Sequence, residues 1–148
     1  MRQEWKRHAL GEEENNMRKI IEVPYIDQSV SYPTGCESVS ATMLLQYLGY
    51  EITVDEFIRN YVTCVPMQER DGQMYGPDPR KAFCGSPYDK DSFGCYAPVI
   101  CEALQKAVGD QYTVVDETGT SMQTLIEHYI DRDMPVVFWA CIDMKKEI

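Results

Sequence analysis

Apolar residues recur every three or four positions in four stretches of this chain, the spacing of a helix with one buried face. From Gly35 to Tyr47 the repeat is Val39, Met43, Leu44 and Tyr47, and it runs on to Leu48 until Gly49 stops it. Thr34 and Glu37 stand three apart at its start. That is the spacing of a reciprocal cap, in which a hydroxyl and a carboxylate each satisfy a free backbone N–H. The same spacing recurs at Thr53 and Glu56, which open a stripe of Val54, Phe57, Ile58 and Tyr61. Helical spacing returns from Tyr96 to Val108, with Ile100, Leu104 and Ala107, and Gly109 ends it. Thr120 and Gln123 open a fourth helix, with Leu125, Ile126, Tyr129 and Ile130 on its inner face.

Other stretches have a different rhythm. Ile20 to Ile26 reads as an extended lead-in closed by polar turn formers. Tyr112 to Val115 reads as a short strand, and Pro135 to Ile142 as a buried-type strand, rich in β-branched and aromatic residues. Cys64 to Ser92 shows neither period and is rich in Gly, Pro, Asp and Tyr; a loop that long in a compact domain is functional or mobile. Helices come first and strands begin only near the end, so the expected fold is α+β with the first strands of an incomplete antiparallel sheet.

Composition narrows the function classes. The 148 residues suit one domain, and 44% hydrophobic content supplies a core. A net charge of −10 and no basic run argue against nucleic acid and anionic membranes as partners. The longest apolar run, Pro135 to Ile142, is too short to span a bilayer, so no membrane insertion is expected. Residues 1–19 are charged and read as a solvated tail ahead of a domain at 20–148, with Met17 an alternative start. That tail lacks the apolar core of a secretory signal, which points to the cytoplasm unless the N-terminus is incomplete. Cysteines at 36, 64, 84, 95, 101 and 141 are then expected as thiols. With no C-x-x-C pair and only two histidines, neither a metal nor a cofactor is expected.

Cys36 is the residue with the clearest chemical promise. A cysteine reacts as its thiolate, and the free N–H groups and partial positive charge at a helix start favour that form. If Thr34 caps, Cys36 occupies the second helical position, and Gln28 stands eight residues upstream. A Gln28 amide and the Cys36 N–H are the donors needed to hold an oxyanion formed on an attacked carbonyl. The bland reading stays open beside this one: a cysteine in a helix is often a small buried hydrophobe, and a lone glutamine is usually surface. The other five cysteines read as structural. The aromatics Tyr75, Phe83, Tyr88, Phe93 and Tyr96 either line a substrate groove or pack the long loop to the body.

These residues resemble papain-like cysteine peptidase family thirty-nine, the group that includes bacteriocin leader-processing peptidases, and more closely its stand-alone bacterial branch. The matching runs are Val-Pro-Tyr-Ile-Asp-Gln at 23–28, Gly-Cys-Glu-Ser-Val-Ser-Ala at 35–41, Thr-Val-Asp-Glu-Phe at 53–57 and Tyr-Gly-Pro-Asp-Pro at 75–79. They continue with Phe-Cys-Gly-Ser-Pro at 83–87, Gly-Cys-Tyr-Ala-Pro-Val-Ile at 94–100 and Pro-Val-Val-Phe-Trp-Ala at 135–140. The resemblance implies a papain-like fold, with Cys36 as nucleophile and Gln28 as oxyanion donor in peptide-bond hydrolysis. It also implies a general-base histidine, on a strand downstream of Trp139, that the 148 residues do not reach. The expectation is a peptidase domain inactive alone, or a peptide-binding module, or a pseudo-enzyme completed by a partner. Self-association through the Pro135–Ile142 edge is expected on the same grounds. Neither His128, in the fourth helix, nor His8, in the tail, is placed by its sequence to act as the base.

Overall fold

The computed structural model describes residues 18–141. Helix α1 spans Cys36–Tyr47 and α2 spans Val54–Tyr61. Four short strands follow: β1 at Cys64–Val65, β2 at Gln68–Arg70, β3 at Gln73–Tyr75 and β4 at Phe83–Cys84. Helix α3 spans Ala97–Val108 and α4 spans Met122–His128, the latter running into a 3-10 turn at Ile130–Arg132. The tail and the residues after Cys141, including His8 and Ile142, lie outside the described residues.

The core forms where α1, α2 and α3 meet over β4. Ala41 and Leu45 from α1, Phe57 from α2, Phe83 from β4, and Val99, Ile100, Ala103 and Leu104 from α3 are buried together. Burying a side chain the size of Phe57 or Phe83 stabilises by about 1.5–3 kcal/mol, so these two rings are major contributors. The buried face of α1 is not the stripe expected from its largest apolar residues. Ser38, Ala41, Thr42 and Leu45 are the innermost, whereas Met43, Leu44, Tyr47 and Leu48 are only half-buried. Small side chains let the neighbouring helices approach closely. The Thr42 hydroxyl satisfies itself on the Ser38 carbonyl at 2.8 Å.

A second small cluster sits on the outer side of α1 and α2. Val39, Val54 and Ile58 bury themselves there, with Ile26 and Tyr32 of the lead-in segment packed on them. The Tyr32 hydroxyl donates to Asp55 at 3.0 Å and so pins this segment to α2. That packing delivers the turn containing Gln28 to the amino end of α1.

The long irregular stretch carries more order than its composition suggests. β1 and β4 pair in parallel, Cys64 opposite Phe83 and Val65 opposite Cys84, while β2 and β3 form an antiparallel hairpin. An isolated antiparallel bridge joins Cys84 to Gly94, with Cys84 N–H on the Gly94 carbonyl at 2.9 Å. Strands of two or three residues are too short to show an alternating pattern.

The two expected strands near the end do not form a ladder among the described residues. At Tyr112–Val115 the Gln105 side chain takes the backbone groups that a neighbouring strand would use. Its amide donates to the Tyr112 carbonyl and its oxygen accepts from Val114 N–H, both at 2.9 Å. Residues 135–140 likewise join no ladder among the described residues, and Phe138 and Trp139 are exposed; β-propensity is realised only against a partner strand. Among the described residues the only ladders are those of β1–β4. The α+β class stands, with helices carrying most of the core.

Candidate active site at the amino end of helix α1

Cys36 is the first residue of α1, one position earlier than the Thr34 cap implied. Gly35 is the cap residue and makes no side-chain bond. Both halves of the expected Thr34–Glu37 cap are drawn elsewhere by tertiary partners. The Thr34 hydroxyl lies 2.7 Å from the Asp89 carbonyl and 3.2 Å from that of Ser86, fastening the 86–89 loop beside the helix start. Glu37 turns into the protein. One carboxylate oxygen accepts from Cys95 N–H at 3.0 Å, and the other accepts from the Cys36 thiol at 3.2 Å.

Gln28 reaches the same end of the helix. Its side-chain amide donates to the Tyr32 carbonyl at 3.4 Å, and Gly35 N–H donates to that same oxygen at 3.0 Å. Two donors converging on one oxygen put the Gln28 amide close to the residue before Cys36. Tyr32 N–H in turn closes on the Gln28 carbonyl at 2.9 Å, so the turn from Gln28 into the helix is hydrogen-bonded throughout.

The thiol's electrostatics run against the helix-start expectation. Cys36 reaches solvent on one side, but the Cys36 thiol is pushed up to about 11. Loss of water around the sulfur is the largest cause, followed by the charge of Glu37 and by its hydrogen bond to the thiol. Magnitudes explain the outcome. A helix terminus contributes about 0.3–1 kcal/mol, less than one pKa unit, whereas burial and an adjacent like charge both disfavour the thiolate and act together. Burial first, and the carboxylate directly after the cysteine second, therefore outweigh the helix that carries it.

The remaining expectations separate cleanly. Phe83 is core, whereas Tyr75, Tyr88, Phe93 and Tyr96 are exposed. Phe93 and Tyr96 pack edge to face, with centroids 6.2 Å apart, on either side of the Gly94–Cys95 pair that holds Glu37. His128 ends α4, exposed and beside Tyr129, and makes no hydrogen bond with Cys36. Cys84 and Cys95 are buried, Cys101 is half-buried, and Cys64 and Cys141 are exposed. An apolar groove of about 940 Å³ lies between α3 and the Met134–Cys141 segment; neither Cys36 nor Gln28 lines it. Sequence reasoning missed Glu37 as a partner of the thiol, along with Gly94 and Cys95 that seat it. It also missed Trp139, whose indole N–H donates to the Cys95 carbonyl at 3.2 Å. A carboxylate directly after the cysteine was the available signal, obscured by its cap spacing.

An α+β fold that presents a cysteine at the first position of a core helix defines the class: a papain-like peptidase fold. The profile of the Peptidase_C39 like family matches residues 20–147, and the chain belongs to that family. YvpB of Bacillus subtilis strain 168, an uncharacterized protein, is 31% identical over 102 residues, covering 69% of this chain and 38% of its own length. The crystal structure of a C39-like peptidase from Bacillus anthracis matches with a TM-score of 0.58 at 25% identity, over 73% of this chain and 52% of that one. This chain thus spans about two fifths of the one relative and half of the other.

Proposed function

We propose that this is a cysteine-type peptidase domain in which Cys36 is the nucleophile. The Cys36 sulfur attacks a peptide carbonyl, Gln28 and the Cys36 backbone N–H hold the oxyanion, and an acyl-enzyme on sulfur is then hydrolysed. The observation that supports this reading is that the Gln28 amide and the N–H of Gly35, the cap residue directly before Cys36, both donate to the Tyr32 carbonyl, which brings Gln28 to the helix start. The 148-residue polypeptide on its own is a poor catalyst in this reading. A thiol near 11 is ionised to roughly one part in ten thousand at pH 7, and its partner is a carboxylate rather than an imidazole.

The same raised thiol favours a second reading, a peptide-binding module that does not cleave, or one completed by a strand from a partner alongside Pro135–Ile142. One experiment separates them. The purified 148-residue protein is expected to show no peptide hydrolysis above that of Cys36→Ala, and turnover that Cys36→Ala abolishes would contradict the inactivity. Tight peptide binding that survives Cys36→Ser without any cleavage would favour the binding module.

A further inference from the structure

Glu37 is a charged side chain only 9% exposed, yet it directly follows the candidate nucleophile. A buried carboxylate is costly unless donors surround it, and here each oxygen has one. The Cys95 N–H takes one oxygen at 3.0 Å and the Cys36 thiol takes the other at 3.2 Å. The seat is shaped for it. Gly94 lies so close that a Cβ there would come within 2.5 Å of the first oxygen. Cys95 is itself fixed on its far side, because its carbonyl accepts the Trp139 indole N–H at 3.2 Å. A short relay therefore runs from the Cys36 sulfur through Glu37 and the Cys95 peptide to the Pro135–Cys141 segment.

We propose that Glu37 is the positioning residue of Cys36: its buried carboxylate, seated on Cys95 N–H, holds the thiol as a hydrogen-bond donor and keeps it in a protonated resting state. This inference rests on the reading of Cys36 as nucleophile. Other titratable groups around the pair are the thiols of Cys64 on β1, Cys84 on β4 and Cys95 before α3. Burial pushes each of these up as well, so none adds charge near neutral pH. The direction of the effect is fixed by charge: a carboxylate beside sulfur opposes a second negative charge and favours a cation. A group that takes the Cys36 proton and becomes cationic, such as an imidazole or an amine, is the kind of base this arrangement accepts, with the proton leaving sulfur for its nitrogen.

The test is site-resolved alkylation of the full chain with iodoacetamide between pH 7 and about 11.5, read at Cys36 by peptide mass spectrometry. Glu37→Gln removes the charge but keeps the shape, so the Cys36 midpoint is expected to fall by about one pH unit or more, with Cys36 alkylated roughly tenfold faster at pH 9. Glu37→Asp, which keeps the charge, is expected to stay near wild type. An unchanged Cys36 profile in folded Glu37→Gln overturns the inference. Should Glu37→Gln fail to fold, the S–H stretch of Cys36 in the native protein decides, isolated as the difference from Cys36→Ser. A band lowered by hydrogen bonding is expected, and one at the position of an unbonded thiol overturns it. Neither readout needs peptide hydrolysis, so failure of the peptidase reading and failure of this inference are told apart.

Discussion

The contact between Gly94 and Glu37 is the tightest constraint on any single residue of the site. Gly94 has φ of +103°, a region that side chains rarely adopt, and a Cβ would also meet the carboxylate. Gly49 provides an internal comparison, since its φ is +94° and nothing lies within 4 Å of the point where a methyl group would stand. Gly49→Ala should therefore lose only the backbone term, on the order of 1–3 kcal/mol, while Gly94→Ala should lose clearly more. Urea unfolding of the two variants measures the difference, and equal losses would show that Glu37 is not held there. Cys36 was legible in the sequence as a cysteine at a helix start, and so was the glutamine upstream. The carboxylate's role was not, because spacing alone cannot distinguish a side chain that turns back to cap its own helix from one that turns inward to another segment.

At the scale of elements, the two cap signals show how far local sequence reaches. Thr53 and Glu56 form the reciprocal cap of α2 in full: Thr53 accepts from Glu56 N–H, and Glu56 accepts from Thr53 N–H at 2.8 Å. Thr34 and Glu37 have the same spacing and form none of it, since the 86–89 loop and the Cys95 N–H claim both side chains. Thr53→Ala should cost about 1 kcal/mol in urea unfolding. Thr34→Ala should leave α1 amide protection unchanged and speed exchange in the 86–89 loop, as read by hydrogen exchange. Slower or unaltered exchange there would mean that the hydroxyl is not what fastens the loop. Helices were readable because their signal repeats over several turns, whereas the ladders of β1 to β4 are set by pairing between distant segments. The same dependence on a partner explains why 112–115 and 135–140 carry strand composition but join no ladder among the described residues.

For the molecule as a whole, the packing of α1, α2, α3 and β4 serves to hold one helix end against two loops. The lead-in segment brings Gln28 from one side, and the Cys84–Gly94 bridge brings Cys95 from the other. Cys36 stands between them at the first turn of a helix whose other face is core. If Cys36 is the nucleophile, this helix end accepts an acyl group on its sulfur. The most direct measurement uses a peptidyl p-nitrophenyl ester, whose leaving group departs without needing a proton, with the adduct mapped by mass spectrometry. The expected result is a thioester on Cys36 that forms roughly 100-fold more slowly in Gln28→Ala, while adducts on the exposed Cys64 and Cys141 are unaffected by that substitution. A Cys36 adduct indifferent to Gln28 would contradict it.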